Sequence, residues 1–406
     1  MISFERALEL ILARVPVLDA EEVPLAEAAG RVLRERVAAP RPVPPADNAG
    51  LDGVAFRAVD VAGASRTAPV TLRLDGEVAA GGRREHPLGP GEAVRIMTGA
   101  PVPEGADAVL GVEDVALGPG VVTVFDAVKS GANVRPAGED LGAGDVPVPQ
   151  GTRLNGPAVG VLASMGSARA QVGRRPRVAL LATGNELLAP GAPWREGGIY
   201  SSNSLALAAA VADAGGVPVD LGLVDDTLEA TAAALDRALA ADVVLTSGGV
   251  SMGDYDHVRP AALQVGVSEV FWKVAIKPGK PLFFGLRRST PLFALPGNPA
   301  SALLVFDELV RPALLAMQGA TSVRTPEVSA VLDAPLRQKA GRLGLVRASL
   351  TLVDGVPHVT PQAGQGSGIL SSLVTARAVL RIPPDVTELP VGARVRARLV
   401  GWKEPP

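Results

Sequence analysis

Three lysines lie within eight residues, at positions 273, 277 and 280, in a chain that otherwise uses little lysine. The whole sequence contains six lysines and 33 arginines, so a basic surface of average composition would consist mainly of arginine. Lysine carries a compact ammonium on a flexible stem, which suits contact with phosphate and other oxyanion oxygens. Lys273, Lys277 and Lys280 are therefore predicted to contact an anion. The alternative is a strand end with solvated charges.

Four short turns in the same region carry glycine, hydroxyl or amide groups between a predicted strand and a predicted helix. Each supplies backbone N–H groups or small polar side chains at a helix N-terminus, where anions bind readily. In an open parallel sheet, ligands bind beyond the carboxyl ends of the strands. One such turn is more often structural, but four beside a lysine cluster favour a nucleotide or phosphorylated ligand. The turns are Thr183-Gly184-Asn185-Glu186, Ser201-Ser202-Asn203, Thr246-Ser247-Gly248-Gly249-Val250-Ser251 and Leu295-Pro296-Gly297-Asn298-Pro299.

Carboxylates that could bind a cation follow the same strands. Asp256 lies two residues after Asp254 in the glycine-containing loop beyond the Ser-Gly-Gly turn, and Glu186 lies in the first turn. Mg²⁺ typically uses one or two carboxylates together with ligand phosphate, so Asp256 is the best candidate for a magnesium ligand. Asp225 or Asp226 alone is more often a helix cap, and the sequence does not decide which of the two faces the site.

The composition restricts the classes of function. Net charge is −3, aromatics make up 3 % of the residues, and no basic tract is present, so nucleic acid is not expected as a partner. The chain has no cysteine and only three scattered histidines, which favours a hard cation on oxygen ligands. No apolar run reaches 18 residues, and the N-terminus lacks the pattern of a signal peptide. A cytoplasmic protein with no membrane partner is therefore expected.

The spacing of apolar residues predicts an α/β multidomain protein. A central doubly wound α/β domain over 174–320 is predicted from alternating buried strands and amphipathic helices. Short period-two runs with Pro-Gly punctuation predict small β domains over 47–136 and 321–406, the second a β-barrel. Residues 1–46, together with 137–173, are predicted to form a helical linker domain.

Two further predictions concern individual helices. Leu25, Ala28, Ala29 and Val32 recur at helical spacing and predict a helix near the N-terminus. Pro312 is predicted to kink or divide the last helix of the central domain, because proline lacks an N–H group and clashes with the preceding turn.

Taken together, these motifs resemble the molybdopterin molybdenumtransferase family, which includes MoeA and the E domains of gephyrin and its plant counterpart. The resemblance extends over essentially the whole chain, and its specificity comes from eight stretches in the same order. They are Asp47-Asn48 through Leu51-Asp52-Gly53, Ile96-Met97-Thr98-Gly99-Ala100, Asn133-Val134-Arg135 through Gly138-Glu139-Asp140, Thr183-Gly184-Asn185-Glu186-Leu187, Ser247-Gly248-Gly249-Val250-Ser251, Lys277-Pro278-Gly279-Lys280-Pro281, Leu295-Pro296-Gly297-Asn298-Pro299, and Ser367-Gly368 with Ser371-Ser372.

The resemblance implies a four-domain, elongated homodimer whose site lies between the central domain of one subunit and parts of the other. Family members cleave adenylyl-molybdopterin with Mg²⁺ and insert molybdate to form molybdenum cofactor, and the molybdopterin adenylyltransferase is a candidate partner. Carried over to this chain, Asp52, Glu186, Asp256, Lys273 and Lys277 are expected in catalysis, with Glu186 and Asp256 as metal ligands. The substrate-binding residues expected on the same basis are Thr98, Asp140, Thr183, Gly184, Ser202, Asn203, Asp226, Ser247, Gly248, Gly249, Ser251, Lys280, Pro296, Gly297, Asn298, Pro299, Arg347 and Ser371.

Several alternatives stay open at this point. Asp52 and Thr98 each precede a glycine and could serve turn chemistry alone. Arg347 and Ser371 could lie at the surface without a ligand. Two rival functions are a molybdopterin adenylyltransferase, which the central domain alone resembles, and a non-catalytic scaffold such as gephyrin also provides. The preference for molybdate over tungstate is not decided by the sequence.

Overall fold

The structure, a computed structural model, describes residues 1–250 and 256–400. The chain divides into two compact units, each assembled from separate stretches of sequence. Among the described residues, no helix has the length and apolar character required to cross a membrane. Unit 1 contains Met1–Glu35, Gln150–Asn155 and Arg169–Pro406, and unit 2 contains Arg36–Pro149 and Gly156–Ala168.

Unit 1 begins with helix α1, Phe4–Leu12, which Ser3 caps by accepting a hydrogen bond from the backbone of Arg6. The next predicted helix, over 25–32, is wrong. Only a single 3₁₀ turn forms there, because Gly30 adopts a left-handed φ of 79° and ends the helical path. The preceding strand is β1, Ala20–Pro24, which pairs antiparallel with residues 169–173.

Unit 2 is built on a six-stranded sheet whose two faces carry separate apolar clusters. The strand order is β6-β3-β5-β4-β8-β7, and the short strands β2 and β9 form a separate antiparallel pair. The elements are β2 Asn48–Ala49, β3 Gly53–Phe56, β4 Val70–Val78, β5 Glu92–Ile96, β6 Ala108–Gly111, β7 Val115–Gly118, β8 Val121–Val124, β9 Val134–Arg135 and α2 Gly156–Ser164.

The central sheet of unit 1 has the order β14-β11-β15-β19-β18-β16. Strands β14, β11, β15 and β19 are parallel, β18 runs antiparallel to β19, and β16 at the edge runs antiparallel to β18. One apolar cluster packs α1, α3, α6 and α7 on one side, and another packs α4 and α5, so the predicted doubly wound α/β architecture is confirmed. The elements are β10 Arg169–Gly173, β11 Arg177–Thr183, β12 Leu187–Leu188, β13 Ile199–Tyr200, α3 Ser202–Asp213, β14 Val217–Val224, α4 Leu228–Ala238, β15 Val243–Ser247, α5 Val258–Gln264, β16 Ser268–Trp272, β17 Ile276–Lys277, β18 Phe283–Arg287, β19 Thr290–Leu295, α6 Pro299–Val305 and α7 Arg311–Met317.

The last central helix is divided near Pro312, as predicted. Helix α6 ends at Val305, a π-helical segment follows over Phe306–Val310, and α7 begins at Arg311. The N–H of Arg311, the first residue of α7, donates to the carbonyl of Phe306 in the π-helical segment, whereas Pro312 next to it has no N–H to donate.

The C-terminal part of unit 1 contains a closed barrel. Strands β22, β23, β20, β26 and β24 pair in that order, and β24 pairs back with β22. Strand β17, which contains Lys277, adds to β22 in parallel. The elements are β20 Glu327–Leu332, β21 Leu336–Arg337, β22 Leu343–Val353, β23 Val356–Pro361, α8 Ser371–Thr375, β24 Ala378–Ile382, β25 Glu388–Leu389 and β26 Arg394–Leu399.

Candidate active site

The register of the parallel strands brings the predicted turns to one edge of the central sheet. Thr183, the last residue of β11, pairs with Val224 at the end of β14. On the other side, Ala182 pairs with Ser247, and Ser247 pairs with Leu295 at the end of β19. The loops that follow these strands therefore start side by side, since neighbouring strands are only about 4.8 Å apart.

A cavity of about 480 Å³ opens at this edge. Its volume lies within the range of roughly 300–1,000 Å³ that is typical of small-molecule sites. One predicted contact, Ser251, lies outside the described residues. The predicted residues that line the cavity are Thr183, Gly184, Glu186, Ser202, Asn203, Asp226, Ser247, Gly248, Gly249, Asp256, Pro296, Gly297, Asn298 and Pro299.

Part of the lining was not predicted. Leu187, Ile199 and Tyr200 also line the cavity, and they come from the segment 184–200 between β11 and α3. This segment forms the short parallel pair β12 and β13, in which Leu187 is opposite Ile199. Connections in α/β units usually have about 2–6 residues, so the length of this one was a signal in the sequence that it has a role of its own.

Asn203, in the first turn of α3, ties two of the turns together. Its side-chain nitrogen donates to Oγ of Ser247 at 2.7 Å and to the carbonyl of Gly297 at 2.8 Å. One amide thus fixes the separation between the turn after β15 and the turn after β19. This explains why an asparagine at a helix N-terminus matters here beyond helix capping.

The turn after β15 requires glycine at two consecutive positions. Gly248 and Gly249 have φ values of 97° and 63°, which other residues rarely adopt. A Cβ at Gly248 would lie 2.6 Å from the carbonyl oxygen of Thr183, and one at Gly249 would lie 2.8 Å from its hydroxyl. The absence of a Cβ therefore lets this turn pack against the end of β11, and both glycines line the cavity. The hydroxyl of Thr183 is buried and has no hydrogen-bond partner among the described residues.

The carboxylate of Asp226 is held in an unfavourable electrostatic environment. Burial raises the pKa of Asp226; the nearby His257 opposes this, and the charges of Glu186 and Asp256 raise the pKa further. Oδ1 of Asp226 is buried without a hydrogen-bond partner in the described part of the chain, although its backbone N–H donates to Asn185 Oδ1 at 3.3 Å. Such a group is suited to bind a cation.

The structure also resolves which aspartate of the 225–226 pair faces the site. Asp226 lines the cavity, whereas Asp225 is exposed and does not. Within residues 1–250 and 256–400, no group of three acidic, histidine or cysteine side chains is arranged to hold a metal by itself. Mg²⁺ needs only one or two carboxylates when a phosphate supplies further oxygens, so the unpartnered oxygen of Asp226 fits such an ion.

The lysine segment adjoins this cavity. Pro281, immediately after the segment, lines the cavity, although none of the three lysines does. Lys273 is half-buried, with its ammonium 3.8 Å from the centre of the Trp272 ring. Lys277 and Lys280 are exposed and have no ion-pair partner among the described residues. Direct contact of the lysines with an anion stays a prediction.

Arg347, in β22, does not take the surface position that was the alternative to an anion contact. Its side chain is completely buried, so a surface position is wrong. Nη2 donates to the carbonyls of Gly364 and Gly366, and burial lowers the pKa of the guanidinium. Arg347 thus holds the loop before α8, and its role as an anion contact stays a prediction. Ser371 begins α8 and is exposed.

Ser367, in the loop before α8, contacts Asn298, which lines the cavity. Its hydroxyl accepts a hydrogen bond from Asn298 Nδ2 at 2.9 Å, and its carbonyl accepts one from the backbone of Ala300 at 3.0 Å. Pro299 has no N–H group, so the first two positions of α6 cannot donate to an anion. Ser367 therefore already accepts hydrogen bonds from Asn298 and Ala300 that would otherwise be available to an anion at this helix N-terminus.

In unit 2, Asp52 and Thr98 interact directly. Oδ1 of Asp52 accepts hydrogen bonds from the hydroxyl of Thr98 at 2.6 Å and from its backbone N–H at 2.7 Å. These two bonds, the hydroxyl first, lower the pKa of Asp52. Asp140 is exposed, and its backbone donates to Val43 at 3.0 Å.

Family models match three consecutive regions of the chain. They are the MoeA N-terminal region (domain I and II) over residues 2–166, the probable molybdopterin binding domain over 179–316, and the MoeA C-terminal region (domain IV) over 329–400. Molybdopterin molybdenumtransferase 2 of Mycobacterium tuberculosis (strain H37Rv) is 39 % identical over 382 residues, which are 92 % of this chain and 93 % of that protein. The chain belongs to the molybdopterin molybdenumtransferase family.

Other comparisons agree with this family. The molybdopterin molybdenumtransferase of Haemophilus influenzae is 34 % identical over 400 residues, covering 97 % of this chain and 98 % of that protein. The crystal structure of the molybdopterin biosynthesis moeA protein from Pyrococcus horikoshii OT3 matches with a TM-score of 0.85 and 31 % identity, over 98 % of this chain and 100 % of that one. Membership in the molybdenumtransferase family makes this chain an enzyme, a transferase of molybdenum cofactor biosynthesis, and its multidomain α/β fold agrees.

Proposed function

We propose that this enzyme cleaves adenylyl-molybdopterin in a magnesium-dependent reaction and inserts molybdate into the pterin dithiolene. The observation that carries the proposal is the cavity at the carboxyl edge of the central sheet. It combines the glycine turn at Gly248 and Gly249, both of which line the cavity, with the buried, unpartnered carboxylate oxygen of Asp226. Anion-binding backbone and cation-binding carboxylate in one small cavity are what a phosphate–metal pair requires.

The acidic side of the cavity would hold the metal. Glu186 and Asp256 are the proposed Mg²⁺ ligands, and Asp226 lies close enough to both for their charges to raise its pKa. When bound, Mg²⁺ supplies positive charge to the phosphate oxygens as the bond to the adenylate breaks. Asn185 keeps Asp226 in place through its bond to the Asp226 backbone.

The opposite side would hold the oxyanions. The backbone of the Ser247–Gly249 turn and the ammonium groups of Lys273, Lys277 and Lys280 are proposed to bind phosphate and molybdate oxygens. Phosphoryl transfer spreads negative charge over the phosphate oxygens, so positioning and cations supply most of the rate enhancement. Asn203 keeps this turn at a constant distance from the Gly297 turn.

The remaining proposals concern assembly. We propose a homodimer in which Asp52, Thr98 and Asp140 of one subunit contribute to the site of the other. The proposed location of the enzyme is the cytoplasm. The molybdopterin adenylyltransferase is the proposed source of the adenylylated substrate. Asp52 is prepared for such a role because its two bonds from Thr98 keep the carboxylate ionised and oriented.

Product analysis tests the reaction. The purified protein is incubated with adenylyl-molybdopterin and Mg²⁺, with and without molybdate, and nucleotides are separated by chromatography. We expect AMP release that molybdate stimulates, and no consumption of ATP. Consumption of ATP with release of pyrophosphate would identify an adenylyltransferase instead. Absence of both reactions would favour a scaffold.

A variant decides whether the acidic side is involved. Asp256→Ala is expected to abolish AMP release while sedimentation still detects the wild-type oligomer. Unchanged AMP release in this variant would remove Asp256 from the mechanism. The matched control is Asp225→Ala, because Asp225 lies on the same edge of the sheet but does not line the cavity.

A further inference from the structure

Trp272 connects the two segments from which the oxyanion side of the cavity is built. It is the last residue of β16, and its ring centre lies 3.8 Å from the ammonium of Lys273. Its indole N–H donates to the carbonyl of Val250 at 3.3 Å. Val250 is buried, lines the cavity and directly follows Gly248 and Gly249. One side chain therefore contacts both the lysine segment and the glycine turn.

The contact between Trp272 and Lys273 requires an unusual backbone. Consecutive side chains in a strand point to opposite faces, so an extended chain would carry the ammonium away from the ring. Lys273 has a φ of 73°, a left-handed conformation that is uncommon for a residue with a side chain. Its N–H donates to Leu282 and its carbonyl accepts from Ile2, which hold this conformation in place. Conformations of this kind cluster at functional sites.

A second cation, the guanidinium of Arg259, also contacts the ring of Trp272. The guanidinium of Arg259 lies 4.5 Å from the ring centre of Trp272, and it also donates to Glu269 at 2.8 Å. Glu269 thus balances the charge of Arg259 on its own side. The half-buried ring is held by its contacts with Arg259 and Val250, and it supports the ammonium of Lys273.

We propose that Trp272 is a positioning residue of the oxyanion site. It holds the ammonium of Lys273 and the backbone of the Gly248–Val250 turn at a constant separation, so that one tetrahedral oxyanion contacts both. The ligand class is a phosphate-like oxyanion, which is either the phosphate of an adenylate or molybdate. This inference rests on the proposed function, because it names how the same cavity selects its oxyanion.

Calorimetric titration of the purified protein with AMP, and separately with sodium molybdate, tests the inference. Trp272→Leu removes both the ring and the donor, whereas Trp272→Phe keeps an aromatic face and loses only the N–H. A desolvated cation–ring contact is worth about 5- to 30-fold in affinity, so Trp272→Leu should raise the dissociation constant by that factor. Trp272→Phe should fall between Trp272→Leu and wild type. Trp194→Leu is the matched control, since Trp194 is 66 % exposed and does not line the cavity.

The double variant separates positioning from simple loss of structure. If Trp272 acts partly through Lys273, then Trp272→Leu should weaken binding less in the Lys273→Met background than in the wild type, because only the hydrogen bond to Val250 is then lost. Thermal unfolding of each variant checks that it is folded. If Trp272→Leu is not folded, the affinity of Trp272→Phe is used to test the inference. If the Trp272 variants bind only AMP more weakly, this position holds the phosphate. If they bind only molybdate more weakly, it holds molybdate. If they bind both more weakly, the two anions share the position.

Two results would overturn the inference. One is an unchanged affinity of the folded Trp272 variants for both anions, and the other is full additivity with Lys273→Met. Failure of the proposed function is distinguishable from these results, because then the wild-type protein itself releases no AMP from adenylyl-molybdopterin. If the wild type is active and the Trp272 variants bind as it does, only the role of Trp272 is lost.

Discussion

Oδ1 of Asp226 in the cavity and the side chain of Glu308 in the π-helical segment after α6 are both withdrawn from water, but only Glu308 is surrounded by cations. Glu308 is fully buried and forms ion pairs with Arg381 and with Arg398, the latter at 2.8 Å. Asp226 has an unpartnered buried oxygen and lies among other carboxylates. Charges that hold a fold together are paired within the chain, whereas a charge that the chain leaves unpaired is available to a ligand.

The environment of Glu308 joins the central domain to the barrel inside unit 1. Burial raises the pKa of the neighbouring Asp307, and the charge of Arg398 opposes this. Burial would lower the pKa of Arg398, but Glu308 and Asp307 together raise it. Each charge in this cluster thus depends on its partners, because none of them could be buried alone.

The largest expected effect comes from breaking this cluster. Arg398→Met leaves Glu308 buried with one cation fewer, and should reduce the free energy of unfolding by about 3–5 kcal/mol, measured by urea denaturation. AMP release per folded molecule should stay at the wild-type value. The matched control is Arg396→Met on the same strand, whose exposed pair with Glu327 contributes at most about 1 kcal/mol. Equal losses in the two variants would contradict the comparison.

The opposite behaviour is expected in the cavity. Asp226→Asn removes the unpartnered charge, so AMP release should fall by about 100-fold, as on loss of one preorganised electrostatic group. The folded protein without ligands should nevertheless be more stable than wild type at neutral pH. Because the folded pKa of Asp226 is raised, wild-type stability falls as pH rises from the ordinary aspartate pKa through the raised value. The difference in melting temperature should therefore grow over that window.

Asp225→Asn serves as the control for this variant, since Asp225 is exposed and lies outside the cavity lining. It should change neither AMP release nor the pH dependence of melting. If the Asp226→Asn protein is instead less stable than wild type at neutral pH, the charge of the Asp226 carboxylate is stabilised by partners within the folded protein, which would contradict the comparison.

A smaller effect is expected from the link between the two turns. Asn203→Ala removes the donor shared by Ser247 and Gly297, and each lost hydrogen bond contributes about 1 kcal/mol. The Michaelis constant for adenylyl-molybdopterin should rise about 10-fold, with a modest loss of stability. Ser204→Ala on the same helix, which loses only a contact with Ser201, should behave as wild type. If both variants are alike, the turns do not depend on Asn203.

The smallest effect concerns unit 2. Thr98→Val removes the hydroxyl donor to Asp52 but keeps the backbone donor, so the pKa of Asp52 should rise toward its ordinary value. A lowered carboxylate pKa contributes stability above the ordinary value that is lost as pH falls through the folded one. In Thr98→Val that loss should be smaller and should end at a higher pH, because the folded pKa of Asp52 lies closer to the ordinary value, and NMR titration and acid unfolding would detect the change. If the pKa of Asp52 is unchanged in Thr98→Val, the hydroxyl of Thr98 is not the main cause of the lowered pKa.

The site was predictable to the extent that its residues follow strands. Strands β11, β15 and β19 are continuous apolar runs, and the polar turns after them were recognised from glycine and hydroxyl residues alone. The helix predicted over 25–32 does not form, because Gly30 adopts a left-handed conformation that ends the turn although the apolar residues recur at helical spacing. Tyr200 was missed because a two-residue strand such as β13 has no periodicity to detect.

By itself, the sequence determined most of the long elements, the order of the turns and the family, because these depend on neighbouring residues and their spacing. Only the tertiary structure decided that Asp226 rather than Asp225 enters the cavity, that Arg347 is buried, and that Trp272 lies between Lys273 and Val250. Those outcomes depend on strand register, burial and contacts between distant residues. The type of a side chain determines which charge it can carry, but segments far away in the chain determine the electrostatic environment of that charge.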